Sequence, residues 1–160
     1  YPNPVGGGQP LFTHSMGLTE HYLIICEIPY RTIVDIDISA LKDLSNFKTK
    51  FEYLGDNGEL NYVTWYVVDK YTGQLKHKFI SDLFVYYHFG NSYEHVDHDG
   101  NTKIIVDLVI YDSEDKTNID AFDAGYIHSL LNPNNDDIAV DCNAKYARFI
   151  LPIDEAPDAN

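Results

Sequence analysis

Positive charge is scarce in this chain. Eleven Lys and Arg stand against 25 Asp and Glu, a formal net charge of −14 at pH 7. So acidic a composition argues against nucleic acid or an anionic membrane as an electrostatic partner, because both are themselves negative. Cysteine is nearly missing, with Cys26 and Cys142 the two in 160 residues. Two are too few for a disulfide framework, and the cytosol is the expected compartment. Cys26, inside "YLIICEI", reads as a small buried hydrophobe. No run of about 18 apolar residues occurs, so no segment reads as a membrane-spanning helix. The opening "YPNPVGGGQP" lacks the basic and apolar regions of a signal peptide, and it reads as a loop over residues 1–10. Its glycines follow no strand and precede no Lys-Ser/Thr pair, so they form no phosphate loop. Gly-x-Ser-x-Gly, His-Glu-x-x-His and Cys-x-x-Cys are also missing. Both ends look like cuts, which suggests that residues 1–160 are an internal fragment of one longer domain.

What the chain does have is a core and a great deal of β-forming sequence. Hydrophobic residues make up 44% against 22% charged, so a packed interior is expected, and 13 Tyr and eight Phe suit pleated surfaces. Strands are expected at 21–28 ("HYLIICEI"), 32–39 ("TIVDIDIS"), 49–54 ("TKFEYL"), 60–69 ("LNYVTWYVVD"), 83–89 ("LFVYYHF"), 102–111 ("TKIIVDLVIY") and 144–153 ("AKYARFILPI"). "LKHKFI" continues the pattern. Turns are expected at "GDNGE", "KYTGQ" and "DHDGN". "SALKDL" offers one helical turn, and residues 119–131 a helical or irregular patch. Turns every 10–15 residues without a long helix indicate an all-β antiparallel meander: propeller blades, a barrel or a sandwich.

Histidine is the side chain here with most chemical potential, and there are seven. His77 lies between lysines and reads as exposed. His95 and His98 flank an acidic turn, "EHVDHDG", which lacks the remaining spacing of a calcium loop. His128, in "YIHSLL", suits a helical surface or a satisfied core position. His14 and His88 differ, because each adjoins a strongly apolar strand: His14 precedes one and His88 ends another. A neutral imidazole is the commonest metal ligand, and a strand end holds it rigidly. A hydrogen-bonded core histidine is the competing reading for each.

Two stretches carry a resemblance. "FTHSMGLTEHYLIICEIP" resembles a segment of the carotenoid cleavage oxygenases through His14, Ser15, Gly17, Thr19, Glu20, Tyr22, Glu27 and Pro29. "YHFGNSYE" is similar to the family's Phe-His-x-x-Asn-x-(Tyr/Trp)-Glu through His88, Asn91, Tyr93 and Glu94. The likeness is best over 11–112, and "ARFILPI" matches a later strand within 113–160, a span otherwise read as a loop or helical insertion. Met16, Tyr87, Phe89 and Gly90 depart from the usual residues, Phe89 standing where many animal members have a second His. These changes bear on pocket shape rather than on the metal.

The resemblance implies part of a seven-bladed β-propeller, about two to three blades of it. It implies an Fe(II) held by four histidines, of which His14 and His88 would be two, with no catalytic residues beyond the metal ligands. The implied reaction is oxidative scission of a conjugated C=C bond in a carotenoid or apocarotenoid by O2, giving aldehydes or ketones such as retinal. The implied setting is cytoplasmic, with peripheral membrane contact through the parent protein. A relative that keeps the iron but isomerises and hydrolyses retinyl esters, and a non-catalytic propeller binding module, are the alternatives. Glu20 and Glu94 read as strand support or surface and are not counted in the site.

Overall fold

The computed structural model describes residues 11–35, 48–54, 62–112 and 144–154. Within them the chain is all-β and antiparallel, with no helix. "SALKDL", "GDNGE", the loop at 1–10, the 119–131 patch, His128 and Cys142 lie outside the described residues. The strands are β1 (Gly17–Leu18), β2 (Tyr22–Glu27), β3 (Tyr30–Asp35), β4 (Lys48–Tyr53), β5 (Tyr62–Asp69), β6 (Leu75–Asp82), β7 (Phe84–Val96), β8 (Thr102–Asp112) and β9 (Ala144–Pro152).

They form three sheets rather than one continuous meander. One has the order β1-β2-β5-β6, another is β7-β8-β9, and β3-β4 pair with each other. The interruption begins at Pro29, which has no N–H to give a ladder. Strand β2 stops at Glu27, and Tyr30 N–H donates to Ile28 O at 2.7 Å across a tight turn. The chain leaves the sheet as the β3-β4 hairpin, and β5 returns to pair directly with β2, Cys26 opposite Trp65. The β5-β6 turn forms as the sequence indicates. The Asp69 carboxylate accepts from Tyr71 N–H (3.0 Å) and Thr72 N–H (2.9 Å), and Gly73 takes φ +71°.

The core lies between the two larger sheets. Alternate residues face it, as the two-residue period of a strand requires: Ile24 and Cys26 of β2, then Val63, Trp65 and Val67 of β5. The other sheet answers with Ile104, Val106 and Leu108 of β8 and with Phe84–Tyr86 of β7. Trp65 joins the two. Its ring centroid is 4.9 Å from that of Phe149 and 5.9 Å from that of Phe84, both on the opposite sheet. Its indole N–H donates to Ser81 Oγ at 2.9 Å, so burial leaves no unpaired donor. Burying about 150–250 Å² at about 25 cal/mol per Å² stabilises the pairing of the sheets by about 4–6 kcal/mol.

A Trp65→Ala substitution in the native protein is therefore expected to cost about 3–5 kcal/mol in urea denaturation. A loss under about 1 kcal/mol would mean that the two sheets do not depend on this ring.

Candidate functional site

The sequence indicates that a strand ends near His88. The structure instead carries β7 on to Val96, and His88 lies inside it, at a fault in the ladder. Tyr86 pairs with Ile110 and Phe89 with Leu108, so Tyr87 and His88 together face Val109 alone. A second extra residue, Gly90, follows before Asn91 pairs with Asp107. These are two β-bulges in succession, and bulges bend a strand and re-aim its side chains. Gly90 suits the second, since a Cβ there would lie 3.3 Å from the Asp107 carbonyl oxygen.

The bulge has a partner in the segment before β1. Ser15 Oγ donates to Tyr87 O at 2.8 Å and accepts from Phe89 N–H at 3.0 Å. The backbone on both sides of His88 is thus bound to the residue next to His14. The Tyr86 hydroxyl points between Cys26 O (2.8 Å) and Ser15 O (3.1 Å), and burial pushes its pKa well up, so it stays a donor. Phe12 N–H donates to Tyr30 O at 2.7 Å and anchors the start of the segment.

This framework brings the two singled-out histidines together. The His14 and His88 ring centroids are 4.9 Å apart at 82°, and both residues are exposed rather than in the core. Phe12 stacks on His14 at 5.9 Å, and Tyr87 meets it edge-on at 5.5 Å. Imidazole nitrogens sit about 2.1 Å from a first-row metal, so two rings sharing one at about 90–109° have centroids about 4.5–5.2 Å apart. The 4.9 Å centroid spacing falls within that range. Among the described residues no three His, Cys, Asp or Glu gather closely enough to hold a metal.

The other described histidines are elsewhere. His77 stacks on Phe79 at 5.7 Å, and His98 approaches Asp99 at 3.3 Å on the open surface. "DHDGN" is a turn: Asp97 accepts from Asp99 N–H and Asn101 N–H, which with Lys103 lowers its pKa to about 2. Phe89 does not enter the histidine face. Its ring lies against Gly17, 5.5 Å from the ring of Tyr86 and 6.5 Å from that of Trp65. The His-to-Phe departure therefore falls in the core, and Tyr87 is the departure that touches the site.

Glu94 is the residue that sequence reasoning set aside. Its carboxylate accepts from Thr19 Oγ1 (2.6 Å), His21 N–H (2.7 Å) and His21 Nδ1 (2.7 Å), binding β7 to the β1-β2 turn. Thr19 Oγ1 in turn accepts from Tyr22 N–H at 3.0 Å. The signal available was that Thr19 and Glu94 belong to the two motifs that contain His14 and His88. Burial raises the Glu94 carboxyl pKa, but the bonds from Thr19 and His21 outweigh it and the net shift is downward. The hydrogen bond to Glu94 raises the His21 pKa above its ordinary value.

The sign of the linkage follows. His21, raised, contributes fully below its unfolded value of 6.5 and loses that contribution as pH rises through its folded pKa. Glu94, depressed, contributes above its unfolded value of 4.5 and loses it as pH falls through its folded pKa. The difference in Tm between the native protein and His21→Ala should be largest between those two values and shrink above 6.5. A difference independent of pH from 4 to 9 would show that the ion pair does not form.

Comparison with known proteins agrees with the two motifs. The family model described as retinal pigment epithelial membrane protein matches residues 2–160. Carotenoid cleavage dioxygenase 8 homolog B, chloroplastic, of Oryza sativa subsp. japonica is 31% identical over 150 residues, covering 93% of this chain and 24% of the relative. Carotenoid isomerooxygenase of Drosophila melanogaster is 26% identical over 153 residues, covering 95% and 22%. Beta,beta-carotene 15,15'-dioxygenase of Gallus gallus is 27% identical over 148 residues, covering 91% and 25%. The chain spans about a quarter of the length of these relatives. With the match running through both histidine motifs to the far side of β9, the chain belongs to the retinal pigment epithelial membrane protein family, the carotenoid cleavage oxygenases.

Proposed function

We propose that the protein containing this chain is a non-haem iron dioxygenase that cleaves a conjugated C=C bond of a carotenoid or apocarotenoid, with His14 and His88 as two of its iron ligands. The observation that carries the reading is the meeting of these residues, 74 positions apart, on one exposed face. The relatives' names, two dioxygenases and an isomerooxygenase, support the oxygenase class over ester hydrolysis. The β1-β2-β5-β6 and β7-β8-β9 sheets suit blades of a seven-bladed propeller, with the remaining ligands on other blades. A cytoplasmic setting with peripheral membrane contact belongs to the same proposal.

The roles of the chain's own residues follow from their chemistry. His14 and His88 each offer a neutral nitrogen, which leaves a ferrous ion its full charge, unlike a site with a carboxylate ligand. Iron held there would supply the one-electron and dioxygen chemistry. Phe12 and Tyr87, flanking His14, exclude water from its sides and offer apolar ring faces to a polyene. Tyr111, whose ring centroid is 6.2 Å from that of Tyr87, extends that wall.

The test is the native protein with and without His88→Ala, incubated aerobically with β-carotene and assayed for iron. About one iron and an aldehyde product in the parent, with both lost in the variant by at least about 100-fold, is the expected result. Iron retained by the variant would make His88 a structural histidine. Iron present with retinyl ester as the substrate consumed would transfer the protein to the isomerohydrolase reading. A parent without iron would leave a binding module.

A further inference from the structure

We propose that Ser15 is a positioning residue, whose hydroxyl sets the orientation of His88 relative to His14. The inference rests on the reading of the two histidines as metal ligands. Its basis is the placement of one side chain. Ser15 follows His14 directly, and its Oγ donates to the carbonyl before His88 (Tyr87, 2.8 Å) and accepts from the N–H after it (Phe89, 3.0 Å). Both peptide units flanking the His88 Cα are fixed by one atom. That atom is a single residue from the other ligand.

The bulge explains why such a hold is needed. Two residues opposite one leave Tyr87 and His88 without a regular ladder to set their direction. A β-bulge held only by its own strand pair could turn His88 away from His14. Ser15 replaces the missing ladder from the segment before β1, and Tyr86 steadies Ser15 through its carbonyl at 3.1 Å. A metal site depends on such outer contacts, because ligands a few tenths of an ångström out of place bind less well.

Glu94 provides the control. It bonds across the same two chain segments, through Thr19 and His21, but it lies six residues beyond His88. Removing that tie loosens the two sheets without touching the backbone beside His88.

The experiment uses the native protein stripped of metal and titrated with Co(II), with affinity and the visible ligand-field bands as readouts beside Tm. Ser15→Ala, Ser15→Thr, Glu94→Gln and His88→Ala are compared. Ser15→Ala is expected to weaken Co(II) by about 10- to 100-fold and to shift the bands. Ser15→Thr, which keeps the hydroxyl, restores both. Glu94→Gln lowers Tm and leaves affinity and bands unchanged. The proposal is overturned if Ser15→Ala leaves Co(II) binding intact. It is overturned equally if Ser15→Ala and Glu94→Gln lose affinity in proportion to Tm, since Ser15 is then an ordinary tie. Bands that survive His88→Ala unaltered identify a different failure, that of His88 as a ligand, and the role of Ser15 falls with it.

Discussion

The close approach of β1 to β7 at Gly17 is the constraint on which the site depends. A Cβ at Gly17 would lie 2.8 Å from Phe89 Cε1 and 3.1 Å from Ser92 Oγ, so no other residue leaves the ring where it is. Phe89 adjoins His88, and Gly17 is three residues from His14. The contact that seats the ring therefore also sets how near the two histidines come. Hydrophobic burial supplies the force, through Phe89, Tyr86 and Trp65 edge to face, and hydrogen bonds set the detail. Their division of labour fits their magnitudes. A buried aromatic contributes several kcal/mol without direction, whereas each net hydrogen bond is worth about 1 kcal/mol but fixes an angle.

Several polar ties run between the same two regions. Ser15 meets Tyr87 and Phe89, Ser92 Oγ donates to Leu18 O at 3.0 Å, and Glu94 meets Thr19 and His21. Each joins the 15–21 segment to β7, and their partners rise in step along both, from Ser15 with Tyr87 and Phe89 to His21 with Glu94. The β5-β6 turn braces the outer end. Lys70 Nζ donates to Thr19 O at 3.1 Å, and the Tyr71 hydroxyl donates to Glu20 O at 3.2 Å. Slippage of one segment past the other would break several of these bonds at once, so the seam has one register.

How much of this was legible follows from the range of each interaction. The strands were readable because alternation is local: "YLIICE" and "YVTWYVVD" announce their faces within a few residues. The extent of β7 was not, because "YHFGNSYEHV" contains two bulges and its pairing exists only against β8. The detachment of β3-β4 was likewise a choice among partners, with Pro29 as its one local sign. At the site, motif likeness singled out His14 and His88, but nothing near either says that they meet. Glu94 was passed over for the same reason, since an isolated carboxylate in a strand looks like surface until Thr19, 75 residues away, is placed beside it.

Under the proposed reading of the paired histidines as metal ligands, the surrounding aromatics gain a role. Two exposed imidazoles are a weak site alone, because water competes for the ion and two donors give little chelation. The remedy is a dry surrounding and further nitrogens converging on the same point. Phe12 and Tyr87 supply part of the first from within this chain, while Phe89, one residue on, is used for the core. The first bulge makes that split possible. In a regular strand Tyr87 and Phe89 would share a face and His88 would take the other, pressing against the core if the tyrosine faced outward. The extra residue lets Tyr87 and His88 both flank His14 while Phe89 still turns inward, so the irregularity at residues 87–88 is what separates the chemical face from the packing face.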